Sequence, residues 1–496
     1  MKQILALTGI LFLLFDVSFV NAATPCDEIV AQTFHGMTVA TIGSVASSSD
    51  TPAFCRINGT IEPQIAFEMR LPTQTWNGNF YQAGCGGFCG DFNADKAGYS
   101  NTIVEAVKRG YAAIIVNNGH TGGLADASWA VNNETALQVY ADTGVPLVAD
   151  AARQLIRAFY GKPPRRAYFA GCSNGGRMAA IAAQRYPQLF DGILAGAPVM
   201  DLTENGGLYG SWIVQKNRAP DGGVIIDSAF NVKIPKLRAE IARQCPAAMD
   251  RTGAIVTDPR ACRFEAEQLP VCASGEHGAS CFTDRERAVL AAWYSGPRDS
   301  AGNKLFAGTP LGSEPFWPVW LTGTAKSRPV GMDLGSGYLK MAFSPKDLGP
   351  ALDSSHFNFD RDPPRLASRA GAFNAMDPNL SAFAKAGGKL LMYQGWADPV
   401  VLPETAARYY DAAVAQNGGL KSTQDFFRLF MIAGVGHCWE APAEAPDQFD
   451  PIAALEDWVE RGQAPNAIPI AQSDRSGSVV RRALLHPYPQ LETLDP

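Results

Sequence analysis

The chain has 496 residues, 46% hydrophobic and 18% charged, with 42 basic against 48 acidic side chains and a net charge of −6. That length suits two or three domains, and the composition excludes a disordered chain. The acidic balance and the lack of a basic stripe argue against a nucleic-acid partner. A mean hydropathy of −0.07 excludes a polytopic membrane protein.

The N-terminus reads as a targeting segment. Met1-Lys2-Gln3 is short and basic, Ile4 to Phe15 is apolar, and Val20-Asn21-Ala22 offers small residues where a signal peptidase cuts. Residues 1–22 are therefore expected to be a secretory signal. The apolar run of about twelve residues is too short for a membrane anchor, which needs about 20. The mature chain is expected to be secreted or periplasmic, with no membrane contact. Ten cysteines fit export: Cys26, Cys55, Cys85, Cys89, Cys172, Cys245, Cys262, Cys272, Cys281 and Cys438. An even count in an exported chain implies disulfides. Paired C-x-x-C or His-rich spacing is missing, so structural zinc is not expected.

Residues 24–80 read as strands and turns. The apolar run between Gly110 and Asn117 is a buried-strand signal, as is Arg166 to Ala170. A helical pattern follows from Gly175 to Arg185, then a third short strand from Gly192. Strands alternating with helices at this spacing indicate an α/β fold with a parallel sheet. From about 200 to 385 the apolar rhythm weakens, and prolines, glycines and four cysteines accumulate. The rhythm returns at Lys389–Gln394 and Phe427–Ile432, and a terminal helix spans Pro451 to Arg461. The expected domains are 23–200 plus 386–496 as the sheet-bearing unit, and 201–385 as an insertion.

Gly171-Cys172-Ser173-Asn174-Gly175 matches G-x-S-x-G between an expected strand and an expected helix. That setting is the nucleophile elbow, where a sharp turn exposes the serine and the glycines avoid clashes. A serine hydroxyl needs a base, and this fold orders its parts as Ser, acid, His. His437 lies in a Gly-rich loop just after the strand 427–432, and is preferred over His486 in the tail. Asp398 follows the strand 389–394 and is preferred over Glu404. An oxyanion needs backbone donors. The expected pair is the amide of Asn174 and that of Gly86 or Gly87, in the Gly-rich run 84–90. Cys172 directly precedes the serine and Cys438 directly follows the histidine. A bond between them would tie the two loops, by chain-entropy arithmetic worth at most about 5 to 6 kcal/mol. A Cys172 thiolate nucleophile is the rival reading, disfavoured in an oxidising compartment.

With a Cys-Ser pair, a lone Asp and a His-Cys pair, the chain resembles the tannase and feruloyl esterase family, to which bacterial mono(2-hydroxyethyl) terephthalate hydrolase also belongs. Further matches are Trp76-Asn-Gly-Asn-Phe80, Asn118-Gly-His120, Phe190-Asp-Gly-Ile193 and Trp458-Val-Glu-Arg-Gly462. The resemblance implies an α/β-hydrolase core with a large inserted lid, and hydrolysis of feruloyl, galloyl or related aromatic acid esters. It implies the pairs Cys26–Cys55, Cys245–Cys262 and Cys272–Cys281, leaving Cys85 and Cys89 to close their own small loop. Family lids often carry a calcium loop. Here Pro246, Met249 and Gly253 stand at its acidic positions, and Asp250 and Asp258 alone cannot supply the six to eight oxygens that calcium takes. That site is expected to be lost, and no cofactor is expected. The aromatic lid residues Phe316, Trp317, Trp320 and Phe343 are candidates to contact a substrate ring. Arg328 does not match the spacing of a lid arginine that would grip a carboxylate. Two alternatives remain at this level: a terephthalate-monoester hydrolase, and a serine peptidase on the same fold. A catalytically silent binding protein is a third reading, opposed by the complete Ser, Asp and His set. The Asn-x-Ser/Thr sites at Asn58, Asn133 and Asn379 matter only if the protein is made in a eukaryote.

Overall fold

The computed structural model describes residues 26–29, 32–273, 278–343, 354–490 and 493–494. The expected signal segment lies outside them. Nine strands form one sheet: β1 Met37–Val45, β2 Phe54–Ile61, β3 Ile65–Pro72, β4 Asn79–Ala83, β5 Ala112–Val116, β6 Arg166–Cys172, β7 Gly192–Gly196, β8 Lys389–Gly395 and β9 Phe427–Ile432. Their spatial order is β1-β2-β3-β5-β4-β6-β7-β8-β9. The first three strands and the β3–β5 pair are antiparallel, and every pair from β5–β4 to β8–β9 is parallel. This is an α/β-hydrolase core.

The parallel strands read as unbroken apolar runs because helices cover both faces. All five residues of β5 and all five of β7 are buried. Side chains still alternate between two cores. Phe80, Ile114, Phe169, Ile193 and Met392 point into one, and Tyr81, Ile115, Tyr168, Leu194 and Leu391 into the other. The helix Gly144–Tyr160 lays Val145, Val148, Ala152, Leu155 and Phe159 on the first face and stops at left-handed Gly161. The helix Pro451–Arg461 covers the second face with Ile452, Leu455 and Trp458. It is capped by Asp450 at its start and by Gly462 at its end.

β7 and β8 are neighbours in the sheet, yet the chain between them forms a helical lid. Its elements include the helices Ile234–Gln244, Asp284–Ser295, Trp317–Trp320 and Val330–Ala342. Leu237, Leu290, Trp293, Trp317 and Leu339 make its interior, and they join the first core without a break. The lid is thus packed on the sheet as part of one hydrophobic body. After β9 a small antiparallel sheet, including Ile468–Ser473 and Val479–Leu485, closes the second face. Among the described residues no helix is long and apolar enough to cross a membrane.

Trp458 is 2% exposed under this sheet. Trp458→Ala is expected to cost about 3 to 5 kcal/mol, read as a lowered midpoint in denaturant unfolding of the oxidised protein.

Candidate active site

Ser173 sits at the tip of the turn from β6 into the helix Asn174–Arg185, with φ 62° and ψ −123°. That backbone conformation is costly for a residue with a side chain, and it is held from several sides. The Ser173 N–H donates to Gly196 O at 3.0 Å. The Asn101 side chain brackets Cys172: its Oδ1 accepts the Cys172 N–H, and its Nδ2 donates to the Cys172 carbonyl, both at 3.2 Å. The glycines of the motif answer to close approach. A Cβ on Gly171 would stand 2.5 Å from the carbonyl carbon of Gly175, and one on Gly175 would stand 2.3 Å from Asn101 Oδ1.

Asn174 is the first residue of the helix, where the backbone N–H has no carbonyl one turn back to bond. Its side chain donates to the Cys85 carbonyl and to Cys89 Sγ, each at 3.3 Å. The Gly-rich run is tied by the Cys85–Cys89 bond. Gly87 lines the same cleft as Ser173 and Asn174, whereas the Gly86 carbonyl accepts the Cys89 N–H at 2.9 Å within the turn. Gly87 has φ 56°, a left-handed conformation that glycine adopts at little steric cost. Behind the turn lies Arg177, fully buried. Its guanidinium donates to Asn174 Oδ1 at 2.8 Å and to the carbonyls of Tyr140, Ala141 and Phe373 at 2.8 to 3.0 Å.

His437 follows β9, and Asp398 follows β8. His437 Nδ1 and Asp398 Oδ2 are 2.7 Å apart. Asp398 is wholly buried, yet each carboxylate oxygen is satisfied. Oδ1 accepts the N–H groups of Val400 and Val401 at 2.9 Å, and Oδ2 also accepts Gln394 Nε2 at 3.1 Å. The two loops touch so closely that a Cβ on Gly395 would lie 2.1 Å from the Val435 carbonyl oxygen. Burial disfavours the charged imidazole, but the Asp398 carboxylate outweighs it, aided by Glu440, and lifts the His437 pKa above the ordinary histidine value.

Cys172 and Cys438 are bonded, with Cα atoms 5.7 Å apart and 266 residues of sequence between them. The bond joins the direct neighbours of Ser173 and His437. The other pairs are Cys26–Cys55, Cys85–Cys89, Cys245–Cys262 and Cys272–Cys281. The rivals lie elsewhere: His486 bonds the Asn466 carbonyl, and Glu404 is an exposed first-turn residue of the helix Pro403–Gln416. A Cys172 thiolate does not exist in this structure.

The lid aromatics divide. Trp317 is 0% exposed and packs against Trp293 and Tyr294, with its indole donating to Ser313 Oγ at 3.0 Å. It belongs to the lid core, because its face of the short helix Trp317–Trp320 turns inward. Phe343 lies under the Arg365 guanidinium, 5.5 Å away. Phe316 and Trp320 instead meet the histidine loop. The cleft beside Ser173 is walled by Tyr338 of the aromatic-rich lid run 338–343, and by residues that sequence reasoning passed over, among them Tyr209 and Met332. Tyr209 and Met332 carry no catalytic motif that would have marked them. Arg328 pairs with Asp333 at 3.3 Å and is mostly exposed.

The segment expected to have lost calcium has its acids otherwise engaged. Asp250 accepts the Thr252 hydroxyl and the N–H groups of Ala254 and Ile255, with Arg481 3.6 Å away. Asp258 pairs with Arg260 at 2.8 Å. The residues present do not fit a calcium ion.

The tannase and feruloyl esterase family matches residues 49–495. An uncharacterized esterase of Xanthomonas campestris pv. campestris is 32% identical, the match covering 95% of this chain and 88% of that protein. The mono(2-hydroxyethyl) terephthalate hydrolase of Piscinibacter sakaiensis is 28% identical, covering 90% and 83%. A crystal structure of an esterase from Aspergillus oryzae superposes with a TM-score of 0.80 at 22% identity, over 96% of each chain.

Two outcomes follow from the geometry. Activity is expected to rise with pH as His437 loses its proton, with a midpoint above the ordinary histidine value. In Asp398→Asn the midpoint should fall to lower pH while kcat drops by about four orders of magnitude, measured as kcat/KM against pH. Replacing both Cys172 and Cys438 with Ala is expected to cost about 2 to 5 kcal/mol of stability. It should also lower kcat more than it changes KM, read by denaturant unfolding and steady-state kinetics.

Proposed function

The chain belongs to the tannase and feruloyl esterase family of serine esterases, and on that premise we propose that it hydrolyses esters of uncharged aromatic acids through a Ser173–His437–Asp398 triad and an acyl-enzyme. Ser173 Oγ attacks the ester carbonyl while His437 takes its proton. Asp398 holds the imidazole tautomer through Nδ1 and stabilises the imidazolium. The amides of Asn174 and Gly87 receive the oxyanion. His437 then protonates the departing alcohol, and water activated by the same ring releases the acid. The five disulfides support action outside the cytoplasm, in a secreted or periplasmic protein.

The observation that carries the substrate class is the cleft wall. It is formed by Val199, Leu202, Ile213, Leu321, Met332 and Tyr338, among others, and no Lys, Arg, His, Asp or Glu lines it among the described residues. Its polar groups are largely engaged: the Asn205 amide donates to the Val400 carbonyl at 2.8 Å, and the Tyr209 hydroxyl donates to the Pro399 carbonyl at 2.7 Å. A planar ring gains from such a wall. A ring carboxylate would be buried there without a cation, which is strongly unfavourable.

The test is a panel of methyl ferulate, methyl gallate, mono(2-hydroxyethyl) terephthalate and p-nitrophenyl acetate, with Ser173→Ala as the blank. The feruloyl or galloyl ester is expected to exceed the terephthalate monoester by about tenfold or more in kcat/KM. The blank should lose about three orders of magnitude or more. Preference for the terephthalate monoester, or turnover of p-nitrophenyl acetate alone, would overturn the substrate assignment. Comparable turnover of a matched anilide would restore the peptidase reading.

A further inference from the structure

The lid touches the histidine loop through one polar contact that the triad does not use. Trp320 donates its indole N–H to Glu440 Oε2 at 2.8 Å, across 120 residues of sequence. The same indole stands edge-on to the His437 ring, with centroids 5.1 Å apart and an interplanar angle of 85°. Next to it Phe316 packs on Gly436, where an added Cβ would come within 2.8 Å of the phenyl ring. Glu440 closes the turn around the histidine. Its N–H donates to the His437 carbonyl at 3.0 Å, and its own carbonyl accepts the Gly436 N–H at 2.7 Å.

A carboxylate is an expensive choice for this place. The indole N–H would be satisfied by an amide or a hydroxyl, with no charge to desolvate. What an acid adds is a second negative charge on the loop where the imidazolium forms.

We propose that Trp320 and Glu440 are a positioning pair, by which the seated lid holds a second carboxylate beside His437, orients the imidazole and stabilises its protonated form during acyl transfer. The proposal rests on the triad assignment above. The proton passes from Ser173 Oγ to the imidazole and on to the leaving oxygen, and Glu440 takes none. The charged groups facing His437 are Asp398, Glu440 and Lys96, of which Asp398 acts most strongly and Lys96 opposes. Those facing Glu440 are His437 and Asp398. Burial, with Asp398, holds the Glu440 pKa above the ordinary carboxylate value, and the indole bond and His437 offset only part of that rise.

The test compares wild type, Glu440→Gln and Trp320→Phe in kcat/KM against pH, on methyl ferulate and on p-nitrophenyl acetate. Titration of Ser173 with a fluorophosphonate counts intact sites. Glu440→Gln keeps an acceptor for the indole and removes the charge. Its acid limb should move down by about half a pH unit or more, with kcat lowered about threefold to tenfold. Trp320→Phe keeps a ring edge on the imidazole and loses the N–H. It should show a similar fall in kcat on p-nitrophenyl acetate with KM unchanged. An unmoved acid limb in Glu440→Gln, with kcat within about twofold of wild type, would overturn the proposal. So would fully titrating variants that change KM alone. Turnover that persists in Ser173→Ala would instead remove the triad on which the proposal stands.

Discussion

The bond between Cys172 and Cys438 is the constraint on which the site depends. The nucleophile elbow and the histidine loop follow two strands, β6 and β9, that lie three places apart in the sheet. Sheet register alone leaves each loop free to shift by fractions of an ångström, and general-base catalysis is sensitive at that scale. A covalent link between the residues flanking Ser173 and His437 removes that freedom. Further ties then add up. Asn101 brackets Cys172, Gly196 anchors the serine amide, and Gly395 lets the Asp398 loop lie against the Val435 carbonyl.

Much of this was legible in the residues. The strands 166–172, 192–196, 389–395 and 427–432 announce themselves as short apolar runs bounded by turn residues, because both faces of the parallel sheet are covered. Ser173, Asp398 and His437 follow from the order of loops after those strands, and the structure brings His437 to Asp398 at 2.7 Å. The supports were not legible. Asn101, Gln394 and Arg177 act through side-chain hydrogen bonds that no motif announces. A lone Asn or Gln in a sequence gives no sign of the loop it will meet. The lid aromatics show the same limit. Trp317 and Trp320 are three residues apart, yet one fills the lid core and the other faces His437, since which side of a one-turn helix points inward is decided by packing.

The cleft and the lid divide the work of specificity. Its wall comes from both the core and the insertion, and among the described residues it carries no ionised side chain. A neutral, apolar wall discriminates weakly between rings of similar size, and strongly against a ring that carries charge. Selection by exclusion needs no dedicated recognition residue. That is consistent with the position of Arg328, which is mostly exposed and pairs with Asp333.

Arg177 joins these parts in another way. It is a buried cation held by an amide oxygen and main-chain carbonyls, and burial lowers its pKa. Three of its four hydrogen-bond partners are main-chain carbonyls, one of them Phe373 at the far end of the insertion. A carbonyl is offered by whatever residue occupies the position. The insertion can therefore change its side chains, and with them the acids it admits, while the guanidinium still finds the same acceptors and Asn174 keeps its place. At these three contacts the anchor reads backbone and ignores sequence, so a side-chain change at Phe373 leaves the tie between insertion and core intact.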